Sequence, residues 1–201
     1  MNLTEQNSDS KEKDQNIFKL VWGITGAGDL LPETFEIMNK IKGFKKNYTL
    51  EITVILSQAA VKVVKMYRLW KTLEKIADVI LPEKDANTPF IVGSLQIGKY
   101  DALLVSPTTS NSVAKIVHGI SDTLITNSVS MTNRTKTPIF IFPVEKRGNE
   151  VRTTLPDGSK LELLTRDLDA ENTEKLCKMK GITVLDSPKD IHRVIEHLER
   201  A

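Results

Sequence analysis

Short apolar runs alternate with longer amphipathic stretches along most of this chain. Strand-like runs occur at residues 18–24, 50–56, 101–105, 138–143 and 182–185. Apolar residues recur at helical spacing in the stretches that follow these runs, at residues 31–42, 58–77, 169–180 and 188–200. A further helix is predicted to begin within the polar segment at residues 106–112. Strands that alternate with helices are typical of a parallel sheet covered on both faces. The pattern therefore predicts a three-layer α/β fold with a mainly parallel sheet.

The two ends of the chain depart from this alternation. Residues 1–16 are polar and charged without apolar periodicity, so we expect a disordered N-terminal arm followed by a single domain at residues 17–201. Towards the C-terminus, the strand-like residues 151–155 and 160–164 flank the turn pattern Pro156-Asp157-Gly158-Ser159. This arrangement predicts a β-hairpin extension that would cover a ligand or join subunits.

Composition excludes several classes of function. The net charge is +2 and aromatic residues make up 5% of the chain, so nothing favours binding to nucleic acid. The single cysteine, Cys177, excludes an internal disulfide and a cluster that needs four thiolates, and we expect it to be buried and unreactive. The sequence shows neither an apolar run of the roughly 20 residues that span a membrane nor the apolar core of a signal peptide. We therefore expect a cytoplasmic protein without a metal site.

A turn of small residues follows the first strand. Thr25-Gly26-Ala27-Gly28 precedes a helix, and small residues allow backbone N–H groups to approach a phosphate. The alternative is an ordinary turn between a strand and a helix. Because a carboxylate repels a phosphate, we expect Asp29 to point away from the turn or to cap the helix.

The helix predicted at residues 58–77 carries regularly spaced basic residues. They recur every three or four positions: Lys62, Lys65, Arg68, Lys71 and Lys75. Such a stripe is either the solvated face of an amphipathic helix or a docking surface for an acidic electron donor.

The junction after the strand at residues 101–105 is the most informative part of the chain. Its polar segment, residues 106–112, lies where a strand ends and a helix begins, and ligands of open α/β sheets bind at that edge. Free N–H groups at a helix start favour anions and carbonyl oxygens. The amide of Asn111 offers donors and an acceptor to a polar ring, although a plain helix cap is the alternative.

Two segments near this junction resemble a known family. Pro107-Thr108-Thr109-Ser110-Asn111-Ser112 resembles the Pro-Ala-Ser-Ala-Asn-Thr signature of the flavin-binding cysteine-decarboxylase superfamily. Gly119-Ile120-Ser121-Asp122-Thr123-Leu124 resembles its Gly-Ile-Ala-Asp-Asn-Leu segment, at the same spacing. The chain is most similar to the archaeal branch, the archaeoflavoproteins and the dihydromethanopterin reductases (acceptor), from about residue 18 to the C-terminus.

The resemblance implies a flavodoxin-like (Rossmann-like) fold that binds FMN, in trimer-based homo-oligomers with the flavin near a subunit interface. It implies phosphate contacts from Thr25, Gly26 and Ala27, and from Ser57, whose alternative role is an N-cap. It also implies contacts to the flavin from the segment after the central strand and from the downstream segment, namely Ser106, Thr108, Thr109, Ser110, Asn111 and Asp122. Lys115 is expected on the surface, and His118 is not expected to be catalytic.

The chain departs from the decarboxylases at two positions. Gly93 stands where those enzymes carry an active-site histidine, and Pro143-Val144-Glu145-Lys146 replaces their Pro-x-Met-Asn substrate clamp. These differences favour redox chemistry over decarboxylation.

The resemblance therefore implies a reductase that converts dihydromethanopterin to tetrahydromethanopterin, with electrons from an external carrier such as ferredoxin. The closest alternative is an archaeoflavoprotein that accepts electrons from ferredoxin and passes them to another acceptor. An FMN-dependent decarboxylase or prenyl-transfer enzyme is less favoured, and so is a scaffold without flavin.

Overall fold

The computed structural model describes residues 16–43, 48–145, 150–155 and 157–200. The predicted arm at residues 1–16 lies outside this part of the chain, except that Asn16 is the first residue of the first strand.

The strands form one parallel sheet and one hairpin. In chain order they are β1 (Asn16–Ile24), β2 (Tyr48–Leu56), β3 (Val79–Pro82), β4 (Ala102–Thr108), β5 (Ile139–Pro143), β6 (Glu150–Thr154), β7 (Lys160–Leu164) and β8 (Ile182–Val184). Within the described residues, six of them pair in the order β3-β2-β1-β4-β5-β8, and every neighbouring pair is parallel. The predicted parallel α/β sheet is thus confirmed. The strand order reverses between β1 and β4, which is the point where doubly wound sheets open a ligand crevice.

Helices cover both faces of this sheet. They are α1 (Leu31–Gly43), α2 (Gln58–Met66), α3 (Trp70–Ile76), α4 (Val92–Gln96), α5 (Ser110–Val117), α6 (Leu124–Thr132), α7 (Asp167–Cys177) and α8 (His192–Arg200), the last preceded by a 3-10 turn at Pro188–Ile191. Alternate residues of β1 point to opposite faces, so Trp22 packs with Phe35 of α1 while Val21 belongs to a second core that includes Val113 of α5. One core lies on each face of the sheet, between the sheet and its helices, so the structure has the predicted three layers.

The helix predicted at residues 58–77 is interrupted. α2 ends at Met66, Arg68 adopts a positive φ of 58°, and α3 begins at Trp70. Positive φ is incompatible with a continuous right-handed helix. The prediction that five basic residues share one helical face is therefore wrong: Lys62 and Lys65 lie on α2, Arg68 lies between the helices, and Lys71 and Lys75 lie on α3.

The strands β6 and β7 pair with each other in antiparallel register, from Glu150 opposite Leu164 to Thr154 opposite Lys160. They form a two-stranded sheet separate from the parallel one. Leu161, Leu163 and Leu164 of β7 are exposed.

The cysteine side chain is exposed, although burial was expected. Cys177 is exposed, so the prediction of a buried thiol is wrong. It is the last residue of α7, and its neighbour Leu176 occupies the face that points to the core. Successive helical residues diverge by about a quarter turn, which turns Cys177 towards solvent.

No helix in the described part of the chain is long and apolar enough to cross a membrane.

Candidate functional site

A cavity of about 470 Å³ opens at the carboxyl edge of the sheet, where the strand order reverses. Its walls come from the segments that follow β1, β2, β3 and β4, from the first turns of α2 and α5, and from the start of α6. They consist of Gly26, Ser57, Gln58, Ala59, Glu83, Thr109, Asn111, Ser112, Lys115, Thr123 and Ile125. The volume falls within the range of about 300–1,000 Å³ that is usual for small-molecule and cofactor sites.

Four of the residues predicted to contact a cofactor line this cavity: Gly26, Ser57, Thr109 and Asn111. Six do not: Thr25, Ala27, Ser106, Thr108, Ser110 and Asp122. Thr25, Ala27, Ser106 and Thr108 are buried behind the wall. Their side chains are therefore not exposed in the cavity, and contact between these residues and a cofactor stays a prediction.

The loop after β1 packs closely against α2. A Cβ atom at Gly26 would lie 2.7 Å from the Cβ atom of Ala59, and one at Gly28 would lie 2.7 Å from the Tyr67 hydroxyl. Glycine at position 26 allows the loop to lie against the first turn of α2, and glycine at position 28 allows it to approach Tyr67 at the other end of that helix. The backbone at Gly26 thereby forms part of the cavity wall beside the start of α2.

The end of β4 is fixed by side chains of β1 and of Thr25, the residue that follows it. Trp22 donates from Nε1 to the Ser106 carbonyl oxygen at 2.7 Å, and the Thr25 hydroxyl donates to the Pro107 carbonyl oxygen at 2.9 Å. The Thr108 hydroxyl donates to the Val105 carbonyl oxygen at 2.9 Å. These bonds span an irregular stretch, because the register between β4 and β5 shifts between Val105 and Thr108. The expected strand end at Val105 is therefore wrong: β4 continues to Thr108, carried by this side-chain support.

Three helices begin at the cavity, each with a hydroxyl side chain as N-cap. Ser57 Oγ accepts from the N–H of Ala60 at 3.0 Å, and Thr109 Oγ1 accepts from the N–H of Ser112 at 3.3 Å. Thr123 caps α6 in a capping box with Thr126. A cap satisfies one of the N–H groups at each helix start, and the positive ends of the helix dipoles favour an anion there.

The caps show whether Asn111 is a helix cap, which was one of the two roles considered for it from the sequence. Thr109, and not Asn111, caps α5, so the interpretation of Asn111 as a plain helix cap is wrong. The Asn111 side chain is exposed on the first turn and lines the cavity. Ser57 does cap α2, as its alternative role required.

One cation lies in the wall. Lys115 Nζ donates to both carboxylate oxygens of Asp122, each at 2.9 Å, and this bond lowers the pKa of Asp122 below its usual range. Only 24% of the Lys115 side chain is exposed. Lys115 was expected on the surface and is instead half-buried, because it follows Asn111 by one helical turn on the face of α5 that borders the cavity.

Glu83 is a wall residue that sequence reasoning missed. It follows β3, and its Oε1 accepts from the N–H of Leu124 at 3.3 Å, at the start of α6. A lone carboxylate after a short strand belongs to no recognisable motif, and only the fold brings it to the cavity.

Asp29 follows the glycine loop without lining the cavity. Its pKa is raised to about 6, chiefly because burial disfavours the charged form, and further by the carboxylates of Glu33 and Glu145. A hydrogen bond with the backbone of Leu30 partly opposes this rise.

The donor set fits a phosphorylated ligand with a polar aromatic ring, such as FMN. Helix starts and Gly26 suit the phosphate, while Asn111, Ser112 and Ile125 offer polar and apolar contacts to a ring. Ser110 Oγ is buried without a hydrogen-bond partner among the described residues. In the same part of the chain, no group of three His, Cys, Asp or Glu side chains could hold a metal ion.

Comparisons with known proteins agree with this chemistry. The sequence model of the family described as Flavoprotein matches residues 8–199. An uncharacterized protein from Methanocaldococcus jannaschii is 50% identical over 184 residues, which cover 91% of this chain and 97% of that protein. Dihydromethanopterin reductase (acceptor) from the same organism is 30% identical over 232 aligned positions, covering 86% of this chain and 94% of the enzyme.

A solved structure is similar over nearly the whole chain. Burkholderia xenovorans DmrB in complex with FMN, described as a cubic protein cage for redox transfer, superposes with a TM-score of 0.74 at 26% sequence identity. The match covers 92% of this chain and 96% of the DmrB chain.

Proposed function

This chain belongs to the flavoprotein family, and on that basis we propose that it is an FMN-dependent oxidoreductase that reduces dihydromethanopterin to tetrahydromethanopterin. Electrons come from an external carrier such as ferredoxin. The observation that carries the proposal is the cavity at the reversal of strand order, where three capped helix starts and one lysine meet. The similarity to dihydromethanopterin reductase (acceptor) supports the choice of substrate.

In this proposal the phosphate of FMN lies at the start of α2. Gly26 and Ala27 supply backbone N–H groups from the loop, and Ser57 keeps α2 in place while presenting its first turn. Thr25 holds this loop against the end of β4 through its bonds to Pro107. The loop geometry is therefore set before the ligand arrives.

The ring of FMN lies along the first turns of α5. Thr109 and Asn111 address its polar edge, and the buried residues Ser106 and Thr108 support them from behind. Bound FMN supplies the redox chemistry, taking up two electrons and passing them to an acceptor. The protein's task is to orient the ring and to exclude water from one face of it.

Redox chemistry is favoured over decarboxylation because position 93 is a glycine, which has no acid–base side chain. This residue lies in α4, and a Cβ atom there would have no neighbour within 4 Å among the described residues. The position that carries a histidine in the decarboxylases offers no acid or base here. His118, at the C-terminal end of α5, does not line the cavity.

The protein is proposed to work as a trimer-based homo-oligomer with the flavin near a subunit interface. Phe90 and Ile97, which flank α4, are 85% and 69% exposed, and large apolar side chains of this kind favour contact with a second subunit. The description of DmrB as a cubic cage supports the same arrangement.

A second candidate is an electron-transfer protein of the archaeoflavoprotein type. Its supporting observation is the exposed basic surface of α2 and α3, because α2 starts at the cavity wall. The surface consists of Lys62, Lys65, Arg68, Lys71 and Lys75. An acidic carrier docked there would deliver electrons beside the cofactor.

The first experiment is the visible absorbance spectrum of the purified protein, with the released chromophore identified by mass. A flavin spectrum and the mass of FMN are expected. The reduced protein is then mixed anaerobically with dihydromethanopterin. Oxidation of the flavin with formation of tetrahydromethanopterin supports the reductase. A flavin that is reoxidised only by a protein acceptor supports the electron-transfer protein, and a protein that refuses added FMN overturns both.

A further inference from the structure

We propose that Lys115, held in place by Asp122, stabilises the negative charge that reduced FMN carries on its pyrimidine edge. This inference rests on the proposed FMN site and assigns a specific task to one of its residues. Among the described residues that line the cavity, Lys115 is the single cation and Glu83 the single anion. A cation in the wall of a cofactor cavity is one of the means by which a protein sets a flavin's electronics.

The position of Lys115 on α5 separates it from the proposed phosphate end. Asn111 and Lys115 are four residues apart, so their side chains are neighbours on one helical face, with Cβ atoms about 5–6 Å apart. The proposed phosphate end is formed by different elements, where Gly26 approaches the first turn of α2. Lys115 therefore faces the part of the cavity assigned to the ring.

The ion pair with Asp122 leaves Lys115 able to bind a ligand. An ammonium group has three N–H donors, and two of them point to the Asp122 carboxylate oxygens at 2.9 Å. The third is available to an acceptor in the cavity. Asp122 is more exposed, with 55% of its side chain accessible, and it acts on the ligand only through Lys115. Asp122 is thus a positioning residue.

The charge of the ligand changes during the reaction while that of the lysine does not. Two electrons and one proton taken up by FMN give the reduced anion, whose negative charge is shared between N1 and the C2 carbonyl oxygen. A fixed ammonium group nearby favours this anion over the neutral oxidised ring. The cation therefore strengthens binding of the reduced cofactor more than binding of the oxidised one.

The test compares FMN affinity in the two redox states. Kd is measured for oxidised FMN and for dithionite-reduced FMN with the wild-type protein and with Lys115→Met. We expect Kd for reduced FMN to rise about tenfold more than Kd for oxidised FMN, which equals a fall of about 30 mV in the two-electron potential of bound FMN. Lys115→Gln, which keeps a polar side chain, gives the same ratio where the Met variant does not fold. Lys115→Arg keeps the wild-type ratio.

Lys40→Met is the matched control. Lys40 also pairs with a carboxylate, that of Glu36 at 2.6 Å, but on the exposed face of α1. The Lys40→Met substitution is expected to leave Kd unchanged for both oxidised and reduced FMN. An equal rise of Kd for oxidised and reduced FMN in Lys115→Met would mean that the lysine contacts the phosphate, and this result overturns the inference. Kd values for both forms that equal those of the wild type overturn it as well. A wild-type protein that binds FMN in neither state overturns the proposed function itself.

Discussion

The hydroxyl of Thr25 accepts a hydrogen bond from the backbone N–H of Thr109 at 2.9 Å. The two residues are 84 positions apart in sequence, and each directly follows one of the two strands between which the sheet order reverses. The same hydroxyl donates to the Pro107 carbonyl oxygen, so one buried side chain joins the loop after β1 to the start of α5. The proposed phosphate and ring ends of the cavity are therefore mechanically linked.

Thr25→Val should weaken both the fold and FMN binding. The substitution keeps the volume but leaves the Thr109 N–H without its partner, at a cost of about 1–3 kcal/mol in the free energy of unfolding. Urea denaturation measures that cost, and fluorescence titration measures Kd for FMN. Thr34→Val is the matched control, because the Thr34 hydroxyl is also buried and bonds to the Leu30 carbonyl oxygen at 2.8 Å, within α1. The control should lose stability with Kd unchanged; a Kd raised equally in both variants would contradict the link.

Gly26→Ala should displace the loop after β1. The new methyl group would lie 2.7 Å from the Cβ atom of Ala59, and since both atoms are fixed to backbone, the loop or α2 must move. We expect a loss of about 1–3 kcal/mol in unfolding free energy and at least a tenfold rise in Kd for FMN. Gly93→Ala serves as control, because open space surrounds that helical position and alanine there stabilises by about 0.5–1 kcal/mol. Retained FMN affinity in Gly26→Ala would count against the proposed phosphate loop.

Asn111→Ala should affect the ligand and spare the fold. Asn111 is exposed and does not cap α5, so its replacement should change the unfolding free energy by no more than about 0.5 kcal/mol. FMN binding or the potential of bound FMN should change, because the amide is removed from the cavity wall. Asn39→Ala makes the same substitution on the exposed side of α1 and should leave both properties intact. Identical flavin content and potential in both variants would remove Asn111 from the site.

Asp29 should make stability fall as pH rises from about 4 to 6. Its pKa is about 6 in the folded protein against an ordinary value of 3.8, so the folded state binds the proton more tightly than the unfolded state does. The protonated Asp29 carboxyl contributes its full stabilisation at pH below 3.8, and this contribution is lost as the pH rises through the folded-state pKa of about 6. Asp29→Asn should remove this component and be more stable than the wild type above pH 6. The comparison is made by thermal unfolding across the range; parallel pH profiles for the two proteins would refute it.

The basic surface of α2 and α3 gives a prediction that depends on salt. Lys62→Glu combined with Lys71→Glu should slow reduction by ferredoxin at low ionic strength, and the difference from wild type should shrink as salt screens the charges. Lys99→Glu with Lys136→Glu makes the same change in charge at exposed positions before β4 and β5, at the opposite edge of the sheet. Stopped-flow rates at several salt concentrations compare the two double variants. Equal slowing in both would show an effect of net charge alone.

The sequence predicted the layers of the fold better than the wall of the cavity. Alternation of strands and helices was sufficient for the sheet, because each apolar run has to be buried on both faces. The break between α2 and α3 escaped prediction, since Arg68 takes a positive φ without a glycine to signal it. The helical spacing of apolar residues continues across Arg68 in the sequence, although the helical backbone is interrupted there.

The wall residues show why motifs identify a site only in part. Thr25 and Thr108 lie in recognisable segments, yet their hydroxyls bond to backbone carbonyl oxygens behind the wall. Glu83 lies in no such segment and reaches the cavity because β3 ends beside β2. Motif positions report which stretch of chain surrounds a ligand, whereas the direction of each side chain depends on the packing of neighbouring strands.

The hydroxyl caps of α2, α5 and α6 are made within each helix's own first turn. The three helix starts that enclose the cavity are thus ordered by bonds that no ligand has to provide. Because these bonds do not depend on a ligand, we expect the protein to keep its fold without the proposed FMN and to accept analogues such as riboflavin or a deazaflavin without refolding. Exchange of the proposed cofactor, and not only mutation, would then be a route to altering the proposed redox chemistry.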